Sequence, residues 1–577
     1  MFAEIYPLVR MPRRFGHFDY SIPANLSLQA GDLVEISFRN RIIRGVVKKT
    51  KATTTVKKTL PVVSILIKNL MNADDIARFE TIARAVVQSP STILHSALGQ
   101  LRNRNNLVQS NVFKSQPFSV SKEIVKDIQK ILKDTNEDVN EVFFQTSNEG
   151  AFALISVLRK KFKNQILIVA PREKLTTELI GLIDLGDSAQ ILHGHTKPRD
   201  REAIIKAWAQ GTIKTLIGSR QVSTLPAKKI DAIIILESAS DDYTHLERNP
   251  RVDPRRAVEL LKTQHSAKLF YTSYVPSLET IYKKIPLFLC DLPKPIVINL
   301  EAQEENIGVP FLTDQLFKAI YTSLQNRKSV LLSFNRKGVA NRLQCAKCDH
   351  IPTCGSCGSV PIVRTDDLAC PNCGVEMWIP AKCPGCNSDR LKQRGIGNKR
   401  LKTEIQKQFP EVTVGIVDKS TNESNADIII VTEFFFKNLL HTFPQKKFGV
   451  VAELSFDNAL IGNDFRASEY ATFKLFRLMT IAEQQNATCL IQTWVPEVVR
   501  SMLNIQKYLL SELSLREKYR LPPISILATI TNKKDKLEDT GTVNQENLPE
   551  LFNKPDEETI FIDTASYEPF RSTEKSE

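Results

Sequence analysis

The chain has 577 residues, of which 42% are hydrophobic and 25% are charged, so it is too long for one compact domain and can bury a core along most of its length. Its formal net charge of +14 suits a polyanionic partner, although a basic surface that only keeps the protein dissolved would give the same charge. The first residues are broken by Pro7, Arg10 and Pro12, and no run has the ~18 apolar residues of a membrane span. We therefore expect a cytoplasmic, nucleoid-associated protein.

Residues 1–65 predict a small β domain, because apolar and polar residues alternate in GDLVEISFRNRIIRGVVKKT. Gly31 and Gly45 mark turns or bulges in this stretch. Helical patterns follow from about residue 70 to 110, as in ADDIARFETIARAVVQ. A small helical module is therefore expected after the β domain.

From about residue 115 strands and helices alternate, which predicts parallel sheets with right-handed crossovers. The first set has the strand candidates VFF, QILIVAP, IKTLIGS, DAIIILES and AKLFYTS. The second set begins at KSVLLSFNR, is interrupted by a block of cysteines, and resumes with VTVGIVD, ADIIIVT, FGVVAEL and ATCLIQTW. The predicted fold class is multidomain α/β.

Residues 535–577 differ in composition from the rest of the chain. They contain 12 acidic and 4 basic residues and few large apolar ones. We expect a weakly structured acidic tail, in which TIFIDTASY could still form one strand.

Eight of the ten cysteines lie between residues 345 and 386 as four C-x-x-C pairs. This spacing lets both thiolates of a pair reach one ion, and eight ligands supply two tetrahedral sites. We predict two structural zinc ions in a nested arrangement, while side-by-side pairing stays open. The inner site would use Cys354, Cys357, Cys370 and Cys373, and the outer site Cys345, Cys348, Cys383 and Cys386.

The sequence on both sides of the cysteines resembles the PriA family, the primosomal N′ proteins of bacterial replication restart. Asn335-Arg336-Lys337-Gly338 precedes the cysteines, where the family has N-R-R/K-G. Gly395-Ile396-Gly397-Asn398-Lys399-Arg400 follows them, where the family has G-x-G-x-x-R. Further matching stretches lie in the family's order at residues 18–23, 273–279, 464–469, 491–497 and 515–523. The resemblance spans roughly residues 2–530.

The resemblance implies two RecA-like lobes of a superfamily-2 helicase together with DNA-binding modules. The implied domains are a 3′-end DNA-binding β domain (1–65), a winged-helix-like module (66–112), a degenerate helicase-like lobe 1 (113–290), a helicase-like lobe 2 (291–343 and 394–514), a two-zinc ribbon insert (344–393), and a shortened C-terminal region with an acidic tail (515–577).

The phosphate loop of such a helicase wraps backbone N–H groups around ATP, and its lysine and hydroxyl serve the phosphates and Mg²⁺. The family's loop is G-V-T-G-S-G-K-T. In this chain Gly150 stands in the place of the lysine and Ala151 in that of the final threonine. Thr146 is retained, and Glu149 brings a negative charge to the phosphate position. We predict a vestigial loop that holds no phosphate.

The other ATP-binding motifs are altered as well. Leu236 replaces the Mg²⁺-binding aspartate of D-E-E-H, while Glu237 matches the catalytic glutamate and remains as a vestige. No arginine lies between Arg477 and Arg500, where the arginine fingers belong, and Ile124 replaces the glutamine that reads adenine. We therefore predict no catalytic residue, no bound ATP or Mg²⁺, and no ATPase activity.

The DNA-binding residues are also carried over by resemblance. Phe18, Asp19 and Tyr20 lie at the pocket for a 3′-terminal nucleotide, where a ring can stack on the base and a carboxylate can accept a hydrogen bond from the 3′ hydroxyl. A strand with alternating core aromatics would give the same pattern. Four arginines would contact phosphates or form a solvated face. They are Arg13, Arg14, Arg39 and Arg41.

Three functions stay open from the sequence. The lost motifs favour a PriA-like restart protein that binds abandoned or stalled forks and helps assemble the primosome without hydrolysing ATP. By resemblance its partners are branched DNA with 3′ ends, other primosome proteins, single-stranded-DNA-binding protein and the replicative helicase. The alternatives are a weakly active ATP-dependent 3′-5′ DNA helicase and a zinc-ribbon nucleic-acid-binding adaptor outside replication.

Trp378, in the insert, could stack on a base or pack against the ribbon.

Overall fold

The computed structural model contains two compact units, Met1–Cys290 with Leu509–Glu577, and Asp291–Tyr508. It describes residues 1–99, 101, 126, 128–130, 139–182, 188–244, 250–300, 311–335, 342–348, 350–356, 358, 360–363, 367–370, 375–394, 397–438, 446–460, 465–532, 538–543, 548–552, 554 and 558–564. Within these residues, no helix combines the length and the apolar character that a membrane crossing requires.

The first unit begins with a small closed barrel of five strands in the order β1-β2-β5-β3-β4. The strands are β1 (Phe2–Pro7), β2 (Phe18–Ser21), β3 (Leu33–Phe38), β4 (Arg41–Lys51) and β5 (Leu60–Ile67). Alternate side chains fill its core, among them Ile5, Val34 and Val47. A Cβ atom on Gly45 would lie 2.5 Å from the Ile5 side chain, so this strand position needs glycine. The predicted β domain is confirmed.

Two helices, Ala73–Ala85 and Pro90–Leu98, follow the barrel and share a hydrophobic core with one of its sides. Asn72 and Asp75 form a capping box at the start of the first helix. Ser89 caps the second, with Pro90 in its first turn. The winged-helix assignment of residues 66–112 remains a prediction, because residues 102–112 lie outside the described residues.

The rest of the first unit is built on a seven-stranded, fully parallel sheet in the order β12-β6-β11-β10-β7-β9-β8. Its strands are β6 (Glu141–Gln145), β7 (Gln165–Val169), β8 (Ala189–Leu192), β9 (Thr215–Gly218), β10 (Ile230–Ile235), β11 (Lys268–Ser273) and β12 (Leu287–Phe288). The helices are Asn148–Lys161, Glu173–Leu182, Pro198–Ala209, Pro254–His265 and Leu278–Tyr282, with 3₁₀ turns at Arg220–Thr224 and Asp241–Tyr243. Near-continuous apolar runs form its strands because both faces are covered.

The second unit carries a six-stranded sheet, also parallel throughout, in the order β13-β23-β22-β14-β21-β20. Its strands are β13 (Ile296–Asn299), β14 (Ser329–Ser333), β20 (Val414–Val417), β21 (Ile428–Val431), β22 (Phe448–Glu453) and β23 (Thr488–Thr493). Its helices are Asp314–Gln325, Asn398–Gln408, Glu433–Asn438, Asp457–Leu460, Ala467–Gln484 and Pro496–Met502. The predicted pair of parallel α/β units is confirmed.

The cysteine block forms an insert between β14 and β20. Antiparallel strands β15 (Arg342–Cys345) and β19 (Leu391–Arg394) pair with each other. Between them a three-stranded antiparallel sheet consists of β16 (Ile362–Val363), β17 (Asp367–Ala369) and β18 (Glu376–Trp378). Among the described residues of the insert, a small core has Leu343, Val363 and Leu368 at its centre.

The C-terminal region is more ordered than its composition predicts. After the helix Ile505–Tyr519, an antiparallel sheet in the order β25-β24-β26 joins β24 (Ile526–Asn532), β25 (Glu538–Val543) and β26 (Glu558–Asp563), with the short helix Leu548–Phe552 before β26. The expectation of weak structure was therefore wrong for β25, which makes a backbone ladder with β24. The predicted strand in TIFIDTASY is confirmed.

Candidate functional site

The turn that aligns with a phosphate loop is closed by its own side chains. Strand β6 ends at Gln145 and the helix begins at Asn148, so only Thr146 and Ser147 connect them. Ser147 Oγ caps the helix by accepting a hydrogen bond from the backbone N–H of Gly150 at 3.3 Å. A Cβ atom on Gly150 would lie 1.8 Å from Thr146 Oγ1, so this position has no room for a side chain. A phosphate loop instead presents such N–H groups to its ligand.

Glu237 is held on both carboxylate oxygens by protein groups. Arg172 donates from Nη2 to Oε1 at 2.8 Å and from Nη1 to Oε2 at 2.6 Å. Asn148 Nδ2 donates to Oε1 at 3.2 Å, and Arg172 Nη1 also donates to Asp242 at 3.3 Å. Burial opposes the charge on Arg172, but the attraction of Glu237 outweighs it and raises the pKa of the guanidinium. Arg172 thus supplies positive charge to the carboxylate that aligns with the catalytic glutamate.

Leu236, at the position of the metal-binding aspartate, belongs to the hydrophobic core of the first unit. It offers no oxygen ligand, and Glu237 follows it in the turn after β10, with a positive φ of 46°. The vestigial nature of the site remains a prediction.

The two arginines that border the missing arginine-finger motif are engaged inside the second unit. Arg477 donates to both oxygens of Glu433 at 2.7 Å and lies 4.4 Å from the centre of the Phe436 ring. Arg500 pairs with Glu497 of its own helix. Ile124 and residues 336–338 of the N-R-R/K-G match lie outside the described residues.

The four cysteines of the predicted outer set come together at the base of the insert. Cys345 Sγ lies 3.6 Å from Cys386 Sγ, and Cys348 Sγ lies 3.6 Å from Cys383 Sγ. All four sulfur atoms lie within 4.8 Å of one another, so the set could hold a metal ion. This grouping is the one that the nested arrangement predicts.

Each pair has the turn of a zinc knuckle. The backbone N–H of Lys347 donates to Cys345 Sγ, and that of Gly385 donates to Cys383 Sγ, both at 3.4 Å. Desolvation opposes ionisation of Cys345, yet hydrogen bonds from the backbone N–H groups of Lys347 and Cys348 and from the neighbouring thiols lower its pKa to about 7. A Cβ atom on Gly385 would lie 2.8 Å from the His350 ring, so the second knuckle needs glycine here. Thiolates with N–H donors are the ligands of structural zinc.

The predicted inner set is described only in part. Cys354 and Cys370 are buried, with 2% and 3% of their surface exposed. Cys357 and Cys373 lie outside the described residues. The second metal site therefore remains a prediction.

An aromatic cluster lies at one end of the barrel. The rings of Phe15 and Phe18 stack with centres 6.4 Å apart and planes at 12°, and Phe18 meets Phe38 edge to face at 5.3 Å. Half of the Phe15 surface is exposed. Arg39 lies over Phe38 at 5.5 Å, and Arg41 follows on the same β3–β4 turn with an exposed side chain. An exposed ring beside arginines is suited to stack on a nucleic-acid base.

The three residues predicted for the terminal-nucleotide pocket do not share one surface. Phe18 packs at the edge of the barrel core, and Tyr20 is 4% exposed within it, with its hydroxyl donating to the Ser37 carbonyl. Asp19 points to the opposite face because strand side chains alternate. There Lys51 Nζ lies 2.8 Å from Asp19 Oδ2, and Thr54 also bonds the carboxylate. Burial alone would raise the Asp19 pKa, but these two partners lower it.

The arginines of the prediction also differ in their exposure. Arg14 is exposed, as are Arg39 and Arg41. Arg13 is 6% exposed and donates to the Lys554 carbonyl at 3.3 Å, so it stabilises contact with the C-terminal region. We therefore leave Arg13 and Tyr20 out of the proposed nucleic-acid face.

Trp378 does not pack against the ribbon, since 87% of its surface is exposed.

Sequence reasoning missed three residues of these sites, namely Arg172, Phe15 and Lys51. Phe15 was visible as an aromatic beside two arginines in RRFGHFDY. Arg172 and Lys51 reach their partners through the tertiary structure, so no local pattern marks them.

Comparison with known proteins identifies the N-terminal region. The sequence model of the PriA 3′DNA-binding domain (3′BD) matches residues 8–99. The chain is 27% identical to the replication restart protein PriA of Rickettsia conorii over 582 residues, covering 92% of this chain and 85% of that protein. It is 22% identical to PriA of Bacillus subtilis, covering 73% of this chain and 57% of that protein.

Solved structures give a coarser likeness. Dbp5 of S. cerevisiae bound to RNA and ADP BeF3 is 11% identical, with a TM-score of 0.36, and the match covers 68% of this chain and 88% of Dbp5. RecG bound to a three-way DNA junction is 12% identical, with a TM-score of 0.32, covering 70% of this chain and 46% of RecG. At these scores the likeness carries no conclusion about function. The chain thus carries a match to the PriA 3′DNA-binding domain and is similar over most of its length to replication restart proteins named PriA.

Proposed function

We propose that this protein binds abandoned or stalled DNA forks through their 3′ ends and helps assemble the primosome that reloads the replicative helicase, without hydrolysing ATP itself. One observation carries the proposal. A 3′ DNA-binding domain is joined to a nucleotide site in which Arg172 binds both oxygens of Glu237. In this role the protein works as a scaffold on DNA, and another protein supplies any unwinding.

We expect no ATPase activity, because ATP binding and hydrolysis would break hydrogen bonds that the residues of this site make with one another. To act as the catalytic glutamate, Glu237 would have to be released from a guanidinium that makes three hydrogen bonds to Glu237 and Asp242. The phosphates would have to displace Ser147 from the N–H of Gly150. Neither a lysine nor a metal-binding aspartate would offset these losses, because Gly150 and Leu236 occupy those positions.

The test measures DNA binding and ATP turnover in the same preparation. We expect fluorescence anisotropy to show binding to a forked DNA without ATP, and a coupled assay to show no DNA-stimulated ATP hydrolysis. A free 3′ hydroxyl end should bind more tightly than a 3′-phosphorylated end. DNA-stimulated turnover that Glu237→Gln abolishes would favour the weak helicase. Equal binding to both ends would favour the adaptor outside replication.

The metal and partner roles form part of the same proposal. The Cys345, Cys348, Cys383 and Cys386 set binds zinc, and the inner cysteines bind a second zinc ion. Four thiolates leave no open position for water, so both ions are structural. Trp378, exposed on the insert, is a candidate contact for the other primosome proteins.

The aromatic cluster of the barrel gives a second test of DNA binding. We expect Phe15→Ala to weaken binding to a single strand with a free 3′ end by about tenfold, since stacking on one base contributes ~1–3 kcal/mol. Tyr321→Ala is the matched control, because Tyr321 is an aromatic of similar exposure on a helix of the second unit. Anisotropy titrations measure both variants. An equal loss in both, or no loss in Phe15→Ala, would contradict the assignment of Phe15 to the DNA-binding face.

A further inference from the structure

The outer face of the barrel carries two carboxylates directly opposite each other on neighbouring strands. Glu4 on β1 pairs with Asp19 on β2 in the antiparallel ladder. Like charges in this arrangement repel each other, so a cation is needed between them. Lys51 meets part of that need, since its Nζ lies 3.0 Å from Glu4 Oε1 and 2.8 Å from Asp19 Oδ2.

The second carboxylate oxygen of Glu4, Oε2, makes no hydrogen bond. Glu4 is 6% exposed, and its Oε2 is buried without a hydrogen-bond partner. His17 Nε2 lies only 3.2 Å from this oxygen, but the two atoms make no hydrogen bond. The pair is at ion-pair distance when the ring is protonated, but no hydrogen bond satisfies this buried oxygen.

A divalent metal ion fits this gap. Glu4, His17 and Asp19 each offer one ligand atom, and these atoms all lie within 4.8 Å of one another. Two ligands bound ~2.0–2.1 Å from a tetrahedral ion are themselves ~3.4 Å apart, close to the spacing of Glu4 Oε2 and His17 Nε2. Lys51 bonds the other oxygen of Glu4, so the ammonium and the ion would use different atoms of that carboxylate.

We propose that Glu4, His17 and Asp19 form a divalent transition-metal site on the barrel, separate from the cysteine cluster. One imidazole and two carboxylates suit Zn²⁺ or Mn²⁺. Three protein ligands leave one position of a tetrahedral ion for water or a phosphate oxygen.

The test uses Mn²⁺ as probe on the full chain with its cysteine sites already loaded with Zn²⁺. Bound Mn²⁺ loses the six-line electron paramagnetic resonance spectrum of the free ion, so a titration gives stoichiometry and affinity without DNA. We expect one saturable Mn²⁺ site per chain, and His17→Gln should weaken it by at least about tenfold. Asp19→Asn should weaken it similarly, which guards against a misfolded His17 variant.

His195→Gln is the matched control. His195 also faces a carboxylate, with its Nε2 3.6 Å from Glu173 Oε2, but within the described part of the chain this pair belongs to no group of three ligands. It should leave Mn²⁺ binding unchanged. The proposal is overturned if no saturable Mn²⁺ site is found, or if His17→Gln and His195→Gln have the same effect. Because the readout needs no DNA, its failure would leave the proposed function to be judged by the fork-binding assay alone.

Discussion

Arg172→Ala is expected to lower the free energy of unfolding of the first unit by about 3 kcal/mol. The substitution removes the guanidinium that bonds both oxygens of Glu237 and leaves a carboxylate that is 5% exposed without its cation. Removing one partner of a buried ion pair costs ~3–5 kcal/mol, and the partial exposure of Arg172 places the effect at the lower end. Urea denaturation measures the loss.

The choice of signal matters because a chain of two units need not unfold in one step. Trp208 is fully buried in the core of the first unit, whereas Trp378 and Trp494 are largely exposed. A background with Trp378→Phe and Trp494→Phe therefore leaves one tryptophan whose fluorescence follows the unfolding of the first unit.

The double variant separates the ion pair from other effects of losing Arg172. Adding Glu237→Gln to Arg172→Ala removes the uncompensated charge, and Asn148 can still donate to the amide oxygen. We expect most of the lost stability to return. If Arg172→Ala costs less than 1 kcal/mol, or if the double variant is no more stable than the single one, then the pair does not stabilise the vestigial site. Such a result would remove the main support for a closed nucleotide site.

The strands of the parallel sheets and the cysteine pairs could be predicted from the sequence, because each depends on residues that are close together along the chain. The strands of both parallel sheets are apolar runs because both faces of each sheet are covered. Each C-x-x-C pair places two possible ligands close enough to bind the same ion. Strand β8 was not predicted, since it has only four residues and includes the polar Gln190. Strand β26 could be predicted within an acidic region, because Ile560 and Ile562 alternate with other residues and are both buried.

The candidate sites were harder to predict because their partners are distant in sequence. Arg172 meets Glu237 across 65 residues, and Lys51 meets Asp19 across two strand pairings. The separation of Phe18 from Asp19 could have been predicted, because neighbouring side chains of a strand point to opposite faces. The resemblance brought these residues together as one motif, whereas the strand geometry divides them between a ring cluster and a charged face.

The largest effect is expected from removing a ligand of the cysteine cluster. Cys345→Ser should abolish metal binding at the outer site and unfold the insert, because the metal substitutes for a core that contains only a few apolar residues. Binding of structural zinc contributes ~10–16 kcal/mol to the folding of small zinc domains, so the insert has no comparable source of stability without it. Substitution with Co²⁺ measures the loss through the near-ultraviolet absorption of thiolate-bound cobalt, which a site of oxygen and nitrogen ligands does not give. Limited proteolysis should then cleave between residues 345 and 386.

Cys290→Ser is the control for this prediction. Cys290 is an exposed cysteine of the first unit, outside the cluster. Its substitution should leave the cobalt spectrum and the proteolytic pattern unchanged. If Cys345→Ser keeps the full thiolate absorption, or if the insert stays resistant to protease without metal, the cluster is not a structural metal site. Loss of all the absorption is expected, because the inner four cysteines lie in the insert that unfolds, whereas loss of one half would show that an inner site holds its ion without the outer one.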